Sequence, residues 1–347
     1  MKIITCASLA VAAAATCSEE VPTYRCAPED TASSAWTLET VREVSEASLS
    51  LMGNSQDIGS GSTSTSTLTL EVSEEIAKAT EEGGPLVISR SYETVTVDVE
   101  REGLEESEGM VIRDDDGSSE LEGATVIFEF DEDAEDWSAS FAEDSSGSEE
   151  WLEELAPRID LASLLPGGDP PAVGDTWDID PAHLVDLLLP GGEVVVDTPE
   201  DSGDVPDGAI SITVPSAGDI KGHDELEGDL TGTFQEVVAE DEGSFARIVI
   251  KVDVSAEIDI VDLLEQAAED RGVEESYNEA VLDRAMEGEL TLLWDLKNHR
   301  AASLEGVLSG TEELVADWSI DAGGNNIEIQ VSSSAEITKT IEATFAD

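Results

Sequence analysis

Ala246-Arg-Ile-Val-Ile-Lys-Val-Asp-Val-Ser-Ala-Glu-Ile258 alternates apolar and polar side chains along its length. Ala246, Ile248, Ile250, Val252, Val254, Ala256 and Ile258 fall on one side of an extended chain. Arg247, Lys251, Asp253, Ser255 and Glu257 fall on the other, and Val249 alone breaks the rule. A period of two means a strand with one dry face and one wet face. The same period recurs at Val95, Val97 and Val99, at Ile210, Ile212 and Val214, at Leu290, Leu292, Trp294 and Leu296, and at Ile327, Ile329 and Val331. Asp295 to Arg300 reads as a turn, with Ala302 and Leu304 continuing into a returning strand. Strands that follow one another without regular helices between them build a mainly antiparallel sheet. The expected fold class is therefore α+β, dominated by curved antiparallel sheet with a few short helices.

Helical signals are sparse and concentrated between residues 149 and 189. Glu149 to Leu155 places Trp151, Leu152 and Leu155 on one side. Asp180-Pro181 is a start signal, an acidic cap followed by proline at the first helical position, and Pro190-Gly191-Gly192 is a stop. A helical hairpin is expected over 258–286, broken at Gly272. Two internal echoes suggest two related β-rich halves: Glu122 to Phe130 with Gly288 to Leu296, and Ile159 to Leu165 with Ile258 to Leu264. The expected division is a linker over 16–35, a first half over 36–196, an acidic linker over 197–208 and a second half over 209–347.

Sixteen lysines and arginines stand against 81 acidic residues, for a formal charge of -65 across 347 residues. Between Glu102 and Pro157 the only basic residue is Arg113, and between Ile159 and Ile220 there is none. Such a field repels nucleic acid and anionic surfaces and attracts cations and basic partners. Disorder is excluded, because 40% of residues are hydrophobic and they fall in regular patterns. A halophilic-type composition of this kind reads first as a solvated acidic shell whose self-repulsion salt screens.

The opening MKIITCASLAVAAAATCSEE has an early lysine and an apolar run from Ile3 to Ala15, too short to span a bilayer and suited to a signal peptide over 1–15. Export follows, to the periplasm, the cell surface or the medium. Removal of that segment leaves Cys17 and Cys26 to form a disulfide; the competing reading, a lipid anchor on Cys17, has a poor lipobox before it. No later segment is long and apolar enough to cross a membrane as a helix.

The acidic strand pair, the Trp151-centred helix, Val173-Gly-Asp-Thr-Trp177, the short helix after it and Pro190-Gly-Gly192 together resemble a family of uncharacterised secreted bacterial proteins. The resemblance covers Trp151 to Gly192 and Gly288 to Gly306. It implies export and a β-rich fold, and it carries over no catalytic residue.

The three histidines, His183, His223 and His299, stand at no metal-ligand spacing, and no G-x-S-x-G elbow or phosphate loop is present. A non-enzymatic role is expected and no cofactor is implied, with a carboxylate-dependent hydrolase as the open alternative. Calcium is the best chemical candidate. Asp114 and Asp116, and Asp201, Asp204 and Asp207, offer hard oxygen ligands on turns, although neither run has EF-hand spacing. The remaining idea is architectural. A curved one-sided sheet covered by short helices can enclose an apolar ligand, in the manner of half-barrel lipid carriers, with Trp151, Trp177, Leu187, Leu188 and Trp294 lining it. Fold analogy supports that reading, and simple core packing is its competitor.

Overall fold

The computed structural model describes residues 30–57, 60–80, 85–102, 117–119, 121–131, 136–152, 155–157, 161–166, 171–192, 194, 226–240, 243–261, 264–265, 275–321 and 326–346. The expected signal segment, Cys17, Cys26, His223, the strand expected around Ile210 to Val214 and the acidic linker at 197–208 lie outside the described residues.

Thirteen strands form a single sheet. In chain order they are β1 (Thr31–Leu51), β2 (Asn54–Asp57), β3 (Thr63–Ala79), β4 (Pro85–Glu102), β5 (Gly117–Ser118), β6 (Thr125–Asp131), β7 (Asp136–Phe141), β8 (Thr176–Ile179), β9 (Glu227–Glu240), β10 (Gly243–Asp259), β11 (Glu275–Asp295), β12 (Arg300–Asp321) and β13 (Asn326–Ala346). Across the sheet the main path runs β7-β6-β4-β3-β1-β13-β12-β11-β10-β9-β8, with β2 on β1 and β5 on β4. Every pairing is antiparallel.

This order follows from a simple itinerary. β1 stands at the middle of the sheet, and the strands that follow it step outward to the β7 edge. The chain then crosses to the opposite edge at β8 and steps back to the middle, where β13 pairs with β1 from Ser33↔Ala346 to Leu51↔Ile329. Strands of both expected halves thus share one sheet, and β8, from the expected first half, pairs with β9 of the second. Before and after β8, the described residues between 142 and 192 form a strap with short helical turns: Glu149–Leu152, Ala162–Leu164 and Pro181–His183, the last running into α1 (Leu184–Leu188).

The alternation read from the sequence is the alternation of burial. Along β10, Ala246, Ile248, Ile250, Val252, Val254, Ala256 and Ile258 are all buried, while Lys251, Asp253, Ser255 and Glu257 are exposed. Out-of-phase Val249 is buried as well. The turn at 296–299 is tied by Asp295, whose side chain accepts from the backbone of Lys297 at 2.7 Å and of Asn298 at 3.1 Å. On the returning strand a bulge shifts the register, so that Trp294 faces Ala301, not Ala302, and Ala301 is the buried residue.

The expected helical hairpin over 258–286 is corrected. Ile258 and Asp259 end β10, and Glu275–Asp295 form β11, so both ends of the expected hairpin are strand; Val261, Leu264 and Glu265 are helical, and residues 262–263 and 266–274 lie outside the described residues. Ala, Glu, Leu and Met favour helix locally, yet Ala280 and Leu282 keep the period-two phase of Leu290 and Leu292. Ladders on both flanks of β11 then override the local preference.

The inner face carries two apolar clusters. The larger draws residues from β1, β3, β4, β6 and β9 to β13, together with Leu152, Leu155, Leu161, Leu164, Leu184 and Leu187 of the strap. Strap and sheet face are therefore one core. The smaller cluster lies further along the long strands and includes Ile258, Ala280, Leu282, Leu314, Trp318, Ile329 and Val331.

Candidate ligand-binding site

The strap is attached to the inner face by a few specific contacts. Gly174, at φ +96°, turns the chain, Asp175 accepts from Ala172 N at 2.8 Å, and Gly174 N donates to Phe234 O at 2.7 Å. The residues that follow form the edge strand β8, so this segment is a turn into a strand and not a turn between two helices. Trp177 on β8 donates its indole N–H to Leu164 O at 2.9 Å, which closes the strap on itself. Its ring fills the space over Gly232 on β9, where any Cβ would overlap it.

A buried cation makes the second attachment. Arg90 on β4 is fully enclosed, pairs with Glu74 at 2.7 Å, and lies over the Phe128 ring at 4.8 Å from its centroid. The same guanidinium donates to Ala156 O at 2.9 Å and lies near Gly191 O, the two ends of the loop that Leu155 and Gly192 join by a bridge. Burial alone would lower the Arg90 pKa, but Glu74 and the neighbouring Tyr92 outweigh it and hold it above the ordinary range. Burial also raises the Tyr92 hydroxyl, against the pull of Arg90.

The expected ligand-lining residues come together in the larger cluster. Trp294 and Leu187 are fully buried, and Trp151, Trp177 and Leu188 pack against the cluster half-buried. They are contiguous core between sheet and strap. A groove of about 760 Å³ lies elsewhere, beside edge strand β7, and Trp137, Phe141, Ser145 and Glu149 line it. The calcium candidates Asp114, Asp116, Asp201, Asp204 and Asp207 lie outside the described residues. Among the described residues no cluster of His, Cys, Asp and Glu has the arrangement of a metal site. His183, in the first turn of the short helical segment after β8, has Asp186 at 3.2 Å one turn on. His299 occupies the turn at φ +54°.

The most unusual chemistry on the inner face was not among the expected site residues. Arg42 on β1, Arg284 on β11 and Glu312 on β12 project from the phase that is otherwise apolar. Arg42 Nε donates to Glu312 Oε1 at 2.9 Å, and Arg284 Nε donates to Glu312 Oε2 at 2.8 Å. Arg42 also donates to Ser333 Oγ on the intervening β13 at 3.1 Å. Glu312 is only 3% exposed. Burial would raise its carboxyl, and the Arg284 and Arg42 guanidiniums reverse that and hold it below the usual carboxylate range. Lys339 on β13 keeps the buried phase of Ile337 and Ile341. Burial, reinforced by Arg284 and opposed by Glu312, brings its ammonium down to about 8. This belt separates the two apolar clusters.

A signal for the belt was present in the sequence. Ile337-Thr-Lys339-Thr-Ile341 and Glu312-Glu-Leu314 each put a charge in an apolar phase. Which charges would meet depends on β1 pairing with β13, and no local pattern reports that pairing.

No family model matches the chain, and no curated protein matches it. Among solved structures, it is similar to an outer membrane channel from Pseudomonas putida F1, at 8% identity over 93% of this chain and 98% of that one, with a TM-score of 0.23. A TM-score that low establishes no shared fold.

Proposed function

We propose that this is a non-enzymatic binding protein of the cell envelope or the extracellular space, which holds an apolar ligand between its sheet and the strap. One observation carries the reading. The apolar inner face of the sheet is covered by a strap of three- to five-residue helical turns, whose Leu164, Leu184 and Leu187 are fully buried against it. Short turns held by Trp177, Arg90 and the Leu155–Gly192 bridge are displaced as a unit more readily than a packed long helix. Displacement would leave a dry, curved, aliphatic surface of the kind that takes an acyl chain. The two halves, β1–β8 and β9–β13, read in this proposal as related parts of a half-barrel-like sheet.

The outer face argues that the sheet stands in water. Along β10 it presents Lys251, Asp253, Glu257 and Asp259, all exposed, whereas a lipid-facing strand needs apolar residues there.

Organic extraction of protein purified from its native envelope tests the proposal. Mass spectrometry of the extract should find a stoichiometric lipid, and stripped protein should take lipid up again. An empty extract, with no uptake by the stripped protein, would overturn it.

A further inference from the structure

The chain has few basic residues, and it places three of them together on the inner face of its sheet. Arg42 and Arg284 share one carboxylate, Glu312, and Lys339 stands in the same phase of the adjoining strand β13, opposite Leu308 and Thr40. Three cations against one anion leave two positive charges without a counter-charge among the described residues at this level of the sheet. Arg42 donates Nε to Glu312 and Nη2 to Ser333, and Arg284 donates Nε and Nη2 to Glu312, which fixes both guanidinium planes and leaves each Nη1 without a hydrogen bond among the described residues. Among the described residues the Lys339 ammonium makes no hydrogen bond, though it senses both Arg284 and Glu312. Arg42 and Arg284 are 24% and 17% exposed, so the excess positive charge is half-buried and reachable from solvent, and charge left unpaired in such a place marks where an anion is expected.

The neighbourhood suits one kind of anion. Lys339 stands opposite Leu308 on β12, and Leu308 is flanked in its own phase by Gly306 and Gly310. Across the ladder, Leu308 faces Gly288 on β11. The adjoining strands come close at these glycines, and the Leu308 and Leu290 side chains lie over Gly288 and Gly306, which makes the surface beside the belt aliphatic. Beyond Leu308 the inner face continues through Leu290, Leu304 and Ile341 into the cluster that the strap covers. A cationic group at the end of a long aliphatic face is complementary to a single-chain amphiphile.

Resting on the function proposed above, we infer that Arg42, Arg284 and Lys339 form a subsite for the anionic headgroup, carboxylate or phosphate, of an amphiphile whose chain runs under the strap. Glu312 positions the two arginines and takes no part in contact with the ligand. The groups facing the subsite are Arg42 from β1, Arg284 from β11, Glu312 from β12 and Lys339 from β13.

Calorimetry on stripped protein at pH 7, with dodecanoate, dodecyl phosphate, dodecanol and inorganic phosphate as probes, tests this. Both anionic amphiphiles should bind about tenfold or more tighter than dodecanol, as expected for charge-assisted hydrogen bonds. Lys339→Met should remove that advantage and leave dodecanol binding unchanged. In the unaltered protein the advantage should also shrink between pH 7 and pH 9.5, a measurement that needs no variant. Equal binding of dodecanoate and dodecanol overturns the headgroup subsite while the apolar-ligand reading stands. Lys339-dependent binding of inorganic phosphate with no binding of any twelve-carbon probe sustains the anion site, identifies its ligand as a free anion and overturns the apolar reading. No binding of any probe overturns both.

Discussion

Arg42 and Glu312 are 270 residues apart in the chain and meet at 2.9 Å on the inner face, across the intervening strand β13. The pair depends on the β1–β13 ladder and on the β12–β13 ladder at once. Its loss therefore affects the middle of the sheet and not a local hairpin.

Glu312→Gln should be destabilising. It leaves Arg42, Arg284 and Lys339 without their shared counter-charge; because the arginines are 24% and 17% exposed, the cost should fall below the figure of about 3–5 kcal/mol for breaking a fully buried pair. Urea unfolding followed by tryptophan fluorescence measures this. A midpoint unchanged from that of the parent protein would show that the belt is well solvated.

The Lys339 ammonium gives a pH signature. Its folded pKa, about 8, lies below its ordinary value of 10.5. Between those two values the unfolded chain binds the extra proton, so stability rises with pH across that window. Below about pH 8 both states carry the charge, and the folded state bears its full cost. The difference in stability between the parent and Lys339→Met should therefore favour the variant at pH 7 and narrow toward pH 10. A difference that does not vary with pH contradicts the assignment.

Arg90→Lys should loosen the strap without dissolving the sheet. A lysine keeps one charge for Glu74 but cannot also reach Ala156 O and the Phe128 face in the fork geometry of a guanidinium. Amide exchange at residues 155–157 and 189–192 should accelerate by at least tenfold, while that of β11 and β12 stays slow. Uniform acceleration would show that the clasp is part of the global core.

Gly232→Ala should displace the Trp177 ring, because the added carbon falls within it. Release of the indole from Leu164 O and from its packing exposes it to water. The expected readout is a red shift in emission that Trp177→Phe abolishes. No shift would mean that β8 moves away with its tryptophan still sheltered.

Salt should stabilise the protein. A formal charge of -65 gives strong self-repulsion, and the Debye length falls from about 10 Å at 0.1 M to about 3 Å at 1 M. The melting temperature should climb steeply with sodium chloride, and equally with potassium chloride if screening alone acts. A melting temperature independent of salt would show that the acidic face is already neutralised.

The sheet was legible because its signal is local. Alternation at Ala246 to Ile258 reports burial directly, and the Asp295 turn carries its own side-chain hydrogen bonds. The helical hairpin was misread because Ala, Glu and Met around residues 275–286 favour helix in isolation, and only the ladders to β10 and β12 decide otherwise. Trp151, Trp177, Leu187, Leu188 and Trp294 could be grouped from sequence as apolar residues near short helices, and they do share one cluster. The belt needed four separate strands brought into register. Arg42, Arg284, Glu312 and Lys339 are ordinary charged residues until β1, β13, β12 and β11 lie side by side in that order.

The chain's itinerary also sets its folding problem. The seam at the middle of the sheet joins β1 to β13, so Ser33 finds Ala346 only after every strand between them has been made. Each side of the seam can assemble hairpin by hairpin as it is made, but until the seam zips, two long strand edges stay open. Contacts of such sequence separation are slow to form, and open edges attract one another between molecules. The high negative charge then has a kinetic use. It keeps half-made sheets apart while the first strand waits for the last.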